Sequence, residues 1–170
     1  MAEIVVGNPV LNRASYLTMI GYTYLATSNP ATGNGKIDTV ELWAYDVANS
    51  LTGAVVGLCY GSDLSWTNRS NVAIGTVTGG SKQTFTDLEL DCQEGDVIGV
   101  YASGRIERTA TTTDGGLVTA TGNFLDGANH NYATSYTNNA ISLGGSGETV
   151  SAGNKAFMHY YKNMMAGGIR

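Results

Sequence analysis

Two histidines, His130 and His159, are the only side chains here that titrate near neutral pH without help, so general acid or base work would begin with them. His130 lies in Asp126-Gly127-Ala128-Asn129-His130-Asn131, a polar run that reads as a loop, and no Gly-x-Ser-x-Gly elbow occurs to supply a nucleophile. Arg105-Ile106-Glu107-Arg108 places Arg105 and Glu107 on one side of an extended strand. A glycosidase would need a second carboxylate opposite Glu107, and nothing in the sequence locates one. The runs Gly79-Gly80-Ser81 and Gly144-Gly145-Ser146-Gly147 lead into no helical pattern, so they offer a phosphate no helix N-terminus. The reading is that the chain is not an enzyme and uses no cofactor.

Asp87, Glu89, Asp91, Glu94 and Asp96 concentrate carboxylates as a Ca²⁺ site would. Alternate positions on a strand stand about 7 Å apart, too far for one ion to be shared without loop oxygens, so the expectation is a solvated acidic face. Arg105, just beyond it, is placed to pair with these carboxylates across strands. Cys59 and Cys92 each end an apolar stretch; two buried thiols and a cross-strand disulfide both fit, while two Cys and two His at these spacings form no zinc pattern.

Aromatic residues admit two readings. Trp66, Tyr132 and Tyr136 can be assembled into a platform that stacks on sugar rings, with Asn, Asp and Thr as hydrogen-bonding neighbours. Alternatively, Trp43, Tyr45 and Tyr101, which lie within strand patterns, fill a core or a subunit interface. At the N-terminus Ile4, Val5, Val6, Val10 and Leu11 form a β-branched apolar stretch broken at Asn8-Pro9. It either pairs as an edge strand of its own domain or leaves to complete the sheet of a neighbouring copy, and these five residues are the expected assembly interface.

The elements that must position these groups are strands. Period-two alternation recurs at about 18–26, 37–47, 53–60, 71–78, 83–92, 96–103, 105–110, 116–122, 132–136, 139–144 and 155–161. Asn34-Gly35, Gly79-Gly80, Glu94-Gly95-Asp96, Asp114-Gly115-Gly116 and Asp126-Gly127 mark turns between them. In Phe85 to Cys92 the residues Leu88, Leu90 and Cys92 point one way and Asp87, Glu89 and Asp91 the other, and Glu94-Gly95-Asp96 is expected to join this strand in a hairpin to Val97-Ile98-Gly99-Val100-Tyr101. That last stretch has the apolar density of a strand covered on both faces or lying at a sheet centre.

About 8 to 11 strands in one domain require two packed sheets, so the fold class is all-β, a two-sheet β-sandwich of jelly-roll type. The N-terminal segment spans 1–15, the sandwich 16–161 and a tail 162–170. Phe157, Tyr160, Tyr161, Met164 and Met165 fit either a last strand or one helical face within 155–166.

Composition agrees. Of 170 residues only 14% are charged, against 23 Gly, 20 Thr, 14 Asn and 12 Ser. With 9 basic and 14 acidic residues the net charge is −5, which leaves no basic surface for nucleic acid or an anionic membrane. Met1 to Pro9 lacks the basic start and long apolar run of a secretory signal, so synthesis without a signal peptide is expected.

The run Gly75 to Leu88, with Glu94 to Tyr101 and Gly104 to Arg108, resembles small Gly/Thr-rich jelly-roll structural proteins of tailed phages and environmental sequences over about residues 70–125. The resemblance implies a structural component of a virion or fibre and carries over no catalytic residue. The expected function is thus a self-assembling structural subunit of a virion (capsid decoration or tail) or of an extracellular helical filament. Its partner is itself, through sandwich contacts and a terminal strand. A carbohydrate-binding module or receptor-binding head, with glycans as partner, is the alternative.

Overall fold

A computed structural model describes residues 2–113 and 115–150. The strands are β1 (Glu3–Gly7), β2 (Ser15–Ala26), β3 (Gly35–Trp43), β4 (Leu51–Ser62), β5 (Ser65–Val77), β6 (Lys82–Phe85), β7 (Leu90–Cys92), β8 (Val97–Thr109), β9 (Leu117–Thr121), β10 (Asn129–Asn131), β11 (Thr134–Tyr136), β12 (Ala140–Ile141) and β13 (Leu143–Thr149). They form two antiparallel sheets. Sheet A runs β1-β13-β3-β6, with β7 continuing alongside β3; sheet B runs β10-β5-β4-β8-β2-β9-β11, with β12 on β8. Taken as β1, β2, β3, β4, β5, β6/β7, β8 and β13, the chain changes sheet at every step except the β4–β5 hairpin, which is jelly-roll order. The molecule is an all-β sandwich.

Most of the core lies between the sheets. Ile4, Met19, Ile37, Leu42, Leu51, Leu58, Leu90, Ile98, Ile106 and Leu143 are buried there, each contributing about 1.5–3 kcal/mol of burial before ordering costs. A second cluster, Leu25, Cys59, Trp66, Val97, Val118, Ala120, Leu125 and Tyr132, covers one end of the other face of sheet B. It exists because residues 117–136, inserted between β8 and β13, fold back over that sheet: β9 adds beside β2 while β10 adds beside β5 at the opposite edge. Sheet B is thereby nearly closed on itself. Strand β8 has one side in each cluster, Ile98 and Val100 in the first and Val97 in the second, as its unbroken apolar run predicts.

Strand β2 serves both cores through a bulge. Leu17 and Met19 face the main core, yet after Gly21 it is Tyr22, Tyr24 and Ala26 that do so. Gly21 takes a φ of 67°, and the pairing with β8 slips between Ile20 and Tyr22. One extra residue therefore switches the parity of the alternation and frees Leu25 for the second cluster.

The structure corrects several local expectations. Thirteen strands are present among the described residues rather than 8 to 11. The expected strand 83–92 is two strands, broken where Asp87 adopts a φ of 60°. Glu94-Gly95-Asp96 is not a hairpin: β7 pairs with β3 in sheet A, β8 pairs with β4 and β2 in sheet B, and the turn carries the chain across the end of the sandwich. Leu90 and Cys92 nonetheless face the core, as the alternation requires. The aromatic stretch within 155–166 and the tail 162–170 lie outside the described residues.

Candidate functional site

Strand β1 is the edge of sheet A and pairs in register with β13, from Glu3 opposite Glu148 to Gly7 opposite Gly144. Its alternation sends Ile4 and Val6 into the core and leaves Val5 47% exposed on the outer face. Of the two placements open to the N-terminal stretch, this chain shows the edge strand of its own domain. Loop 29–32 partly covers the free edge, since Val5 N–H donates to Thr32 Oγ1, Thr32 N–H donates to the Val5 carbonyl and Gly7 N–H donates to the Asn29 carbonyl.

The link from β1 to β2, which includes the Asn8-Pro9 break in the apolar stretch, is fastened by polar groups. Asn8 is buried; its Nδ2 donates to the Ile141 carbonyl, and its Oδ1 accepts from Ser28 Oγ and Asn29 Nδ2. Arg13 spreads its guanidinium over Ser142 Oγ, Thr109 Oγ1 and the Pro9 carbonyl, while its backbone N–H donates to Glu107 at 2.7 Å. Burial raises the Glu107 carboxyl above its ordinary value against the opposing pull of Arg13. Val10 is half-buried, and Leu11 is exposed.

Together these pieces shape a groove of about 650 Å³ on the outer side of sheet A, walled by Val5, Pro9, Val10 and Pro30 on one side and by Thr39 and Glu41 on the other. Gly144 forms its floor. A Cβ at this position would meet the Asn8 carbonyl oxygen at 2.8 Å, so the close passage of residues 8–10 over β13 depends on glycine. Toward the other end of the same face stand Glu3, Asp38 and Glu148 around a shallower depression. Lys36 and Lys82 belong to this face as well, but are paired with Glu89 and Glu41.

The sugar platform expected from Trp66, Tyr132 and Tyr136 is not assembled. Trp66 lies within β5 and Tyr132 beside β10, both buried in the second cluster, and of the three only Tyr136 is exposed. Their burial follows from the fold-back of residues 117–136, a long-range event with no local sequence signature. A different aromatic stack does reach the surface: the Tyr16 ring lies 4.7 Å from that of Tyr45, with the Arg105 guanidinium 4.3 Å above it. Arg105 therefore stacks on Tyr16 instead of joining the 87–96 carboxylates.

Asp96, the last of those carboxylates, is buried and bound by Arg69, whereas Asp87, Glu89, Asp91 and Glu94 remain exposed. Among the described residues no group of three or more His, Cys, Asp or Glu side chains could hold a metal ion. His130 is on a strand, its Nε2 2.8 Å from Asp126 Oδ1 and its ring stacked on Phe124. Cys59 and Cys92 are free and sit in different clusters. Burial pushes their thiols up to about 12 and about 11, well away from a reactive thiolate.

Fold and surface define an antiparallel jelly-roll sandwich with one sheet partly roofed on its outer side and the other grooved. No protein-family model matches the sequence, and no curated protein does.

Proposed function

We propose that this chain is a non-enzymatic structural subunit that assembles with copies of itself, as a capsid or tail component of a virion or as the repeating unit of an extracellular filament. The asymmetry between the sheets carries this reading. The second cluster roofs one end of the outer face of sheet B and leaves Tyr16 and Ile20 of β2 exposed at the other, while on sheet A Val5, Asp38, Thr84 and Glu148 stay exposed along the face that carries the groove. A rigid sandwich with one sheet partly roofed and the other open suits packing against a further subunit. Jelly rolls recur as packing units of capsids and also as lectins, so the fold by itself leaves both classes open.

A carbohydrate-binding head is the second reading, favoured by the Arg105–Tyr16–Tyr45 stack, whose Tyr16 ring is partly exposed. Sedimentation velocity over a concentration series, with negative-stain microscopy of the same samples, separates the two. Assembly predicts ordered polymers or particles. Discrete monomers retained on glycan columns, with retention lost in Tyr16→Ala, would favour the binding head.

A further inference from the structure

We propose that the outer face of sheet A is the seat for residues 151–170 of a second copy of this chain. This rests on the assembly reading and names the element that makes the contact. The first observation is charge. All 14 acidic residues precede Ser151, whereas the last twenty positions carry Lys155, Lys162 and Arg170 with no acidic residue. The second is that Glu3 and Glu148 stand directly opposite each other across β1 and β13, a like-charge arrangement that destabilises a sheet unless a cation covers it. Lys36 is the neighbour across β3, but its ammonium is engaged by Glu89.

Patterning matches as well. Along β1 and β13 the face passes from the Glu3/Glu148 pair to Val5/Ser146 and then to the Gly7/Gly144 floor of the groove, so an acidic end adjoins an apolar one. The segment repeats that order, Lys155 followed two residues later by Phe157 and then by Tyr160, Tyr161 and Lys162. Phe157 and the tyrosines suit the walls of Val5, Pro9 and Pro30, and Lys155 suits Glu3, Asp38 and Glu148. β13 ends at Thr149 beside Glu3 and Gly35, the end of the sheet away from the groove, and twenty residues extend up to about 66 Å, enough to reach a neighbouring molecule.

Charge exchange in the full chain tests this. One variant reverses the face (Glu3→Lys, Glu148→Lys), the other reverses the segment (Lys155→Glu, Lys162→Glu, Arg170→Glu), and circular dichroism melts verify that each folds. The expected result at low salt is a wild-type weight-average mass rising to at least twice the 17.8 kDa of the monomer. Each variant alone should stay near the monomer mass, and a one-to-one mixture of the two should recover association, because each face then meets a complementary segment from the other copy. About 1 M salt, where the Debye length is near 3 Å, should dissolve the wild-type contact. Variants that assemble like wild type would overturn the proposal while leaving assembly through another surface standing. Monomeric variants whose mixture stays monomeric would overturn it too, placing the contact within a single chain. A wild type that is monomeric at every concentration would overturn the assembly reading along with it.

Discussion

Arg69, on β5, holds the buried carboxylate of Asp96 at the start of β8 in a two-pronged ion pair, Nε 2.6 Å from Oδ2 and Nη2 3.1 Å from Oδ1. Asp96 Oδ2 also accepts the Gln93 N–H, and the Asp96 carbonyl accepts from Ala31 N–H. The pair therefore pins the arch that carries the chain from sheet A to sheet B. The Arg69 guanidinium covers the Tyr60 ring at 4.6 Å, which limits water around it.

Removing one partner of such a pair strands the other. Arg69→Met leaves Asp96 buried without its cation and should cost on the order of 3 kcal/mol, the low end for a buried pair because Arg69 is itself partly exposed. Arg69→Met combined with Asp96→Ala should cost little more than Arg69→Met alone. Urea unfolding of the single and double variants measures this. Strictly additive losses would show that the two groups stabilise the arch independently.

Glu107 gives a pH dependence of definite sign. Its carboxyl is raised chiefly by burial, so the fold favours its protonated form more than the unfolded chain does. That contribution is complete below the unfolded-state value near 4.3 and drains away as pH rises through the higher folded value. Glu107→Gln should therefore gain stability relative to wild type between about pH 4 and about pH 7, and the Arg13 N–H keeps an acceptor. Urea midpoints of both proteins at the two pH values report the difference. A wild type that gains on the variant as pH rises would mean that the pull of Arg13 outweighs the burial.

Leu90 and Asp91 are adjacent on β7 and face opposite ways, Leu90 into the main core and Asp91 to solvent. Leu90→Asp puts an unpaired charge among apolar groups and should unfold the domain, while Asp91→Asn should change stability by less than about 0.5 kcal/mol. Thermal melts followed by far-UV circular dichroism decide the point, and equal tolerance of both changes would mean the register is different.

These residues also mark what local pattern can reveal. Period two identifies Leu90 and Cys92 as inward, and apolar density marks Val97 to Tyr101 as a strand covered on both faces or at a sheet centre, because each property depends on neighbours in sequence. Which strands a turn joins does not. Glu94-Gly95-Asp96 carries the residues of a tight turn whether it closes a hairpin or crosses between sheets, and the choice is made by Arg69, 27 positions away. Asn8 and Arg13 were illegible for the same reason, since Ile141, Ser142 and Thr109 that hold them come from the far end of the chain. The groove inherits that illegibility, being built over β13 by residues 8–10 and 29–32.

Tyr132 supplies the final prediction, because its burial removes it from any sugar platform. Its hydroxyl lies inside the second cluster with no hydrogen-bond partner, and burial holds its phenol far above the usual range. The ring packs edge-on against Phe124 at 5.7 Å, a contact that phenylalanine retains. Tyr132→Phe deletes only the unsatisfied hydroxyl and should stabilise the protein by about 1 kcal/mol. A sugar-binding role would instead demand that the hydroxyl meet solvent or ligand. Loss of stability in Tyr132→Phe would show that the hydroxyl has a partner after all, and loss of glycan retention without loss of stability would return Tyr132 to the binding surface.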